Sequence, residues 1–172
     1  HSIGSFVGAL KPDIAHFRQF PTFVARALLA RKDQPIAMYC TAGIRCEKAS
    51  SYLLKNGYEQ VFQLRGGILQ YLDEVAPDAS LWQGNCFVFD GRVALDSALQ
   101  PADFEQCCGC RRPLSAAERQ SPLYEAGISC AACRPGLSAR QHQAFAERRR
   151  QVRLGAAQNR MHMGAVMPDT KI

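Results

Sequence analysis

Tyr39-Cys40-Thr41-Ala42-Gly43-Ile44-Arg45-Cys46 is the stretch that decides the fold of this chain. Ahead of it, Ile36 to Tyr39 is a short apolar run released by Pro35, which predicts a buried strand. Behind it, residues 47–54 (46–55 at the widest) read as a helix closed by Asn56-Gly57. A cysteine therefore stands at the C-terminal end of a strand, and a tight loop leads from it into a helix N-terminus. In open α/β sheets ligands bind at that edge. The helix N-terminus presents free N–H groups and the positive end of the dipole, and consecutive N–H groups in such a loop form an anion nest. Together they favour the thiolate of Cys40, which is the nucleophilic form and makes Cys40 the candidate catalytic residue. Thr41, Ala42, Gly43, Ile44 and Arg45 form the candidate anion-binding loop. Gly43 lets the backbone wrap, and Arg45 brings a guanidinium that forks onto an oxyanion. The alternative is an inert, buried strand-end cysteine. Cys46 is the candidate resolving thiol, with a helix core residue as its alternative.

The flanks repeat the strand-turn-helix rhythm. Pro21 opens a helix carrying Phe23, Val24, Ala27 and Leu28, which ends at Lys32-Asp33-Gln34-Pro35. Val61-Phe62-Gln63-Leu64 predicts the next strand. Gly66-Gly67 then turns into a helix with Ile68, Leu69, Leu72 and Val75 on one face, stopped by Pro77. This alternation predicts an α/β fold with a parallel sheet flanked by helices. Arg65, at a strand end, is placed either to reach the Cys40 loop or to stay on the surface. His1 to Lys11 reads as a loop entering the fold. Asn85 to Leu95 reads as a hairpin turning at Asp90-Gly91. In it Cys86 is a packed, inert cysteine. Trp82 packs between sheet and hairpin, with base stacking as the alternative.

A second cluster follows. Cys107-x2-Cys110 and Cys130-x2-Cys133 are separated by 19 residues. Two-residue gaps let paired thiolates hold one tetrahedral ion, so the spacing predicts a zinc-ribbon-like module with a closed, structural Zn2+ site. Reduced thiols or two local disulfides are the alternatives, and Cys108 competes with Cys107 as ligand. Ser115-x-x-Glu118 and Ser138-x-x-Gln141 are capping boxes that open helices.

The chain has 172 residues and a net charge of +6. Between Arg134 and Arg160 seven arginines face one acid, Glu147, so the whole excess sits in that stretch. A basic stretch of this kind points to nucleic acid, with Arg148, Arg149, Arg150 and Arg153 as candidate contacts and a solvated helix face as the alternative. His142 and His162 lie in polar contexts and suggest no metal site. From Gly155 the chain reads as a frayed tail. No run approaches the roughly 18 apolar residues of a membrane span. No signal peptide precedes the eight cysteines, which favours a reducing, cytoplasmic setting. The first residue, His1, suggests a piece of a longer protein.

Cys40 to Arg45 resembles the active-site loop of the rhodanese (sulfurtransferase) family, and Leu64-Arg65-Gly66-Gly67-Ile68 resembles the strand-turn-helix that follows it there. Phe17-Arg18-Gln19-Phe20-Pro21, Cys46-Glu47-Lys48-Ala49-Ser50 and Cys86-Phe87-Val88-Phe89-Asp90, with the cysteine-rich tail, resemble the bacterial rhodanese-like tRNA uridine(34) hydroxylase family over nearly the whole chain. That resemblance implies a further strand and a small α/β domain before His1. It also implies oxygen-dependent conversion of wobble uridine in tRNA to 5-hydroxyuridine, with molecular oxygen as co-substrate. No flavin, haem or iron-triad motif is visible, so the chemistry is expected to run through Cys40. The alternative function is a sulfurtransferase that loads Cys40 as a persulfide from thiosulfate or a similar donor. A third reading is a zinc-dependent RNA-binding module carrying a degenerate rhodanese domain, against which the intact Cys40, Gly43 and Arg45 argue. The expected organisation is a rhodanese-like portion at 1–80, a hairpin and connector at 81–106, the cysteine-rich module at 107–135, and a basic helix with tail at 136–172.

Overall fold

The computed structural model describes residues 3–14 and 16–158. Arg160, His162 and the tail from 159 onward lie outside the described residues. The chain divides into two compact units at Ala102/Asp103.

In the first unit the central strands are β2 (Ile36–Met38) and β3 (Val61–Gln63), paired in parallel with Ile36 opposite Val61 and Met38 opposite Gln63. Strand side chains alternate between faces. Ile36, Met38 and Val61 therefore join Phe23, Val24 and Leu28, from and just after α1 (Phe20–Ala27), and Leu53 of α2 (Ile44–Lys55) in one core cluster. Tyr39 packs into a second cluster with Ile68 and Leu72 of α3 (Gly67–Glu74). Helices thus cover both faces of the strand pair, the predicted α/β arrangement. Each fully buried Leu or Phe contributes roughly 1.5–3 kcal/mol here.

Three details differ from the sequence-based expectation. α2 starts at Ile44, one turn early, because Gly43 adopts φ +84° and serves as its N-cap. α1 stops at Ala27, short of Lys32, and the chain tightens into a 3-10 turn over Leu29–Arg31. The entry segment is not a loop. Gly4–Phe6 forms β1, antiparallel to β4 (Trp82–Gly84), with Phe6 opposite Trp82. Two glycines in this stretch hide the strand pattern, and the pairing depends on a partner far along the chain. The ring of Phe6 meets Tyr39, Tyr71 and Trp82 edge-on at 4.8–5.2 Å.

The hairpin exists as β5 (Cys86–Phe87) and β6 (Ala94–Leu95), with Cys86 opposite Leu95. Its turn is wider than Asp90-Gly91 alone. The Val88 N–H donates to the Val93 carbonyl, which closes a loop over residues 89–92. The left-handed position falls on Val93 (φ +62°), not on Gly91.

The second unit opens with β7 (Phe104–Gln106) antiparallel to β8 (Pro113–Ser115), joined across Cys107 to Arg112. The Ser115 capping box starts α4 (Ala116–Arg119), and the Ser138 box starts α5 (Ala139–Ala157), as the sequence predicts. The unit's small core gathers Cys107, Leu114 and Cys130, with Tyr124 and Cys133 against it. No residue of α5 is buried. Among the described residues no helix is long and apolar enough to cross a membrane.

Candidate active site and metal centre

Cys40 follows β2 directly and is half-buried. Its backbone is clamped by the start of α3. The Ile68 N–H donates to the Cys40 carbonyl at 3.0 Å, and the Leu69 N–H to the Thr41 carbonyl at 3.2 Å. This close approach requires Gly67. A Cβ placed there would stand 2.5 Å from the Cys40 oxygen, 2.6 Å from the Thr41 oxygen and 2.8 Å from the Ala42 nitrogen. In the sequence Gly67 reads as a turn residue; the doubled glycine after the strand is the signal for a close backbone approach.

Burial acts to raise the Cys40 pKa. It is outweighed by the Cys46 N–H, the Cys46 thiol, the Arg45 N–H and the Arg45 charge, so the thiol is held below its ordinary value. Its thiolate is therefore populated at lower pH than that of a free cysteine, and the nucleophile persists as pH falls. Cys46 is 3 % exposed. Burial, its hydrogen bond to Cys40 and the charge on Cys40 push it up to about 12. Cys46 thus stays a thiol and donates to the Cys40 sulfur: it is a buried helix residue, as one sequence reading has it, and it lies against Cys40.

The loop residues separate by role. Thr41 is buried. Its hydroxyl donates to the Phe87 carbonyl at 2.9 Å and accepts from an Arg45 guanidinium nitrogen at 3.1 Å. Ala42 and Ile44 are exposed, and Gly43 caps α2. The N–H groups that face the sulfur belong to Arg45 and Cys46, in the first turn of α2. Arg65 is not part of this group; it lies exposed on the surface, 3.6 Å from Glu74. Trp82 is tied into the Phe6 cluster and donates its indole N–H to the Gly84 carbonyl. Cys86 is buried, and burial pushes its thiol up to about 11.

In the second unit Cys107, Cys110, Cys130 and Cys133 bring their four sulfurs within 4.8 Å of one another. Three of the separations are 3.7–3.8 Å. Tetrahedral thiolates at about 2.3 Å from zinc stand roughly 3.8 Å apart, so the four residues fit a metal such as zinc in a closed shell. Cys108 is exposed and outside the group, which settles its competition with Cys107. Gly109 is needed in the knuckle, because a Cβ there would lie 2.8 Å from the Ile128 carbonyl and 3.3 Å from the Cys133 sulfur.

The four candidate arginines of α5, Arg148, Arg149, Arg150 and Arg153, do not act as one face. Arg149, Arg150 and Arg153 line a groove with Ile128, Ala146 and Leu154. Arg150 is paired there with Glu147 at 2.9 Å. Arg148 instead lies over the ring of Phe145. His142 sits 2.6 Å from a Glu125 carboxylate oxygen.

A comparison with protein families matches the rhodanese-like domain to residues 7–74, a span that holds β2, the Cys40 loop, α2, β3 and α3. The cysteine cluster and α5 lie beyond the matched span. Cys40, at a strand end and cradled by the first turn of the next helix, lies within this rhodanese-like domain, and such a domain is consistent with sulfurtransferase or related activity.

Proposed function

We propose that this chain modifies tRNA through Cys40, hydroxylating the wobble uridine at C5. The observation that carries the reading is Cys40 at a strand end, its thiol pKa lowered by two N–H groups of α2, the Cys46 thiol and the Arg45 charge, which favours the thiolate. The motif resemblance that runs past the rhodanese-like domain into the cysteine module supports the RNA substrate, and so does the arginine groove on α5. The stoichiometry is C5–H plus O2, two electrons and two protons, giving C5–OH and water. The two electrons come from an external reductant. The chain's own part is to present a reactive, anion-tolerant sulfur.

A second reading is favoured by the matched domain and by Arg45. Thiosulfate is a dianion that the guanidinium attracts. Attack by the Cys40 thiolate on its outer sulfur gives a Cys40 persulfide and releases sulfite. Cyanide or a thiolate then takes the outer sulfur and frees Cys40.

The full reading frame is returned to cells lacking it, and tRNA nucleosides are measured by mass spectrometry. With wild type, 5-hydroxyuridine-derived nucleosides are expected to return; with Cys40→Ser they are expected to stay absent. Equal amounts in both would reject hydroxylation through Cys40 and leave thiosulfate:cyanide sulfur transfer as the assay to run.

The groove makes a separate prediction. Replacing Arg149 and Arg153 by Gln together is expected to flatten the salt dependence of tRNA binding by roughly 1.4–1.8 in log–log slope, at 0.7–0.9 per phosphate contact. Arg150→Gln is expected to do less, because Glu147 already neutralises it, and Arg148→Gln less again. Fluorescence anisotropy across a salt series decides this, and an equal loss for all four would return α5 to a merely basic face.

A further inference from the structure

The hairpin loop lies outside the matched domain, yet it touches the Cys40 loop twice. The Phe87 carbonyl accepts a hydrogen bond from the Thr41 hydroxyl at 2.9 Å, which leaves the Thr41 oxygen lone pairs to accept from Arg45 at 3.1 Å. The Phe89 ring lies beneath the Arg45 guanidinium, 5.0 Å from its central carbon. Phe87 and Phe89 meet edge-on at 4.9 Å, so the Phe89 ring is braced from behind. The loop itself is drawn together by Asp90, which accepts from the Arg92 N–H and guanidinium.

Arg45 is exposed, and among the described residues no carboxylate lies within ion-pair distance of it. A long, unpaired arginine on a surface samples many rotamers, and its charge is then spread away from the site. Here both polar and aromatic contacts that hold it trace to the hairpin. Phe89 is 72 % exposed, so its ring sits at the surface where it faces the guanidinium.

Resting on the reading of Cys40 as the reacting thiolate, we propose that Phe89 is a positioning residue of this site: its ring holds the Arg45 guanidinium beside Cys40, so the hairpin sets the site's attraction for anionic substrates. The other groups that face Cys40 do not supply this charge. Cys46 from α2 is neutral, and Gly67 and Ile68 meet Cys40 only at its backbone carbonyl.

The test compares alkylation of Cys40 by anionic iodoacetate and neutral iodoacetamide, followed site by site by peptide mass spectrometry. The ratio of the two rates cancels the thiolate fraction and reads the local charge. Wild type is expected to favour iodoacetate relative to a free cysteine peptide, and Arg45→Gln to remove the preference. Phe89→Leu is expected to lower the ratio about threefold, the scale of a lost surface cation–π contact. Phe89→Tyr is expected to restore it, and Phe89→Leu to add nothing in the Arg45→Gln background. The proposal is overturned if Phe89→Leu keeps the wild-type ratio, if it lowers the ratio equally without Arg45, or if Arg45→Gln has no effect. Failure of Cys40 to react with either reagent would instead overturn the thiolate reading itself, and the tRNA nucleoside result bears on the reaction alone.

Discussion

Gly67→Ala is expected to slow alkylation of Cys40 by more than about tenfold and to destabilise the first unit by about 3 kcal/mol or more. The residue sits at φ +69°, where an L side chain is strained by about 1 kcal/mol. The added methyl would also meet three atoms, the Cys40 and Thr41 carbonyl oxygens and the Ala42 nitrogen. All three are backbone, so none can swing aside. Relief requires the Cys40 loop to part from α3, which breaks the hydrogen bonds from Ile68 and Leu69 to that loop. Each is worth about 1 kcal/mol, and the sulfur loses its alignment with the N–H groups of α2. Gly66→Ala is the internal control. It shares a positive φ of +64°, and the atoms nearest its added methyl all belong to Gln70, whose amide can swing aside but whose Cβ, at 2.5 Å, is fixed to the α3 backbone. It is expected to destabilise the unit by more than the roughly 1 kcal/mol of the strained φ, yet to leave Cys40 reactivity near wild type, since none of those atoms belongs to the Cys40 loop. Denaturant unfolding and Cys40 alkylation rates measure both. A Gly67→Ala protein with wild-type Cys40 reactivity would show that the clamp does not hold the loop.

Removing metal is expected to unfold the second unit. The protein purified under reducing conditions is expected to carry one equivalent of zinc, and a chelator to release it with loss of the helical signal of α5. The buried core of this unit is small: Leu114 and Ile128 beside two of the four candidate ligands, Cys107 and Cys130, with Ser129 alongside them. Structural zinc in comparable thiolate sites contributes about 10–16 kcal/mol of apparent binding energy, far more than such a core supplies. With no residue of α5 buried, the helix depends on what little it packs against, including Phe145, whose ring edge would lie 3.6 Å from a Cβ at Gly109. Cys110→Ser is expected to lose the metal, and Cys108→Ser to keep it, since Cys108 lies outside the cluster. Metal analysis and circular dichroism before and after chelation decide the matter. A folded unit without metal, with all four thiols titrating freely, would remove the zinc site.

Much of the candidate site could be read from local sequence, because its signals are short-range. Pro35, the apolar run to Tyr39 and Gly43 mark a strand that gives way to a helix within a few residues. The capping boxes at Ser115 and Ser138 are satisfied by side chains three positions away, and both form. The two C-x-x-C pairs carry their geometry in their spacing, and their four sulfurs do converge. What spacing could not rank was Cys107 against Cys108, because that depends on which sulfur the β7–β8 turn directs inward.

The sequence by itself determined the placing of Cys40 at a strand end, the helix that cradles it and the pairing of the four cysteines, since turn, cap and knuckle chemistry act between near neighbours. Only the tertiary structure decided which distant residues complete the site. Gly67 reaches Cys40 through the pairing of β2 with β3, and the Phe87 carbonyl meets Thr41 across 46 positions. Gly4–Phe6 became a strand for the same reason, through its pairing with Trp82–Gly84. On α5 the helical period alone puts Arg149 and Arg153 on one side. That this side faces Ile128 and forms a groove, while Arg148 turns to Phe145, follows from packing. Contacts of this kind arise only when the chain closes on itself, and no local pattern encodes the partner.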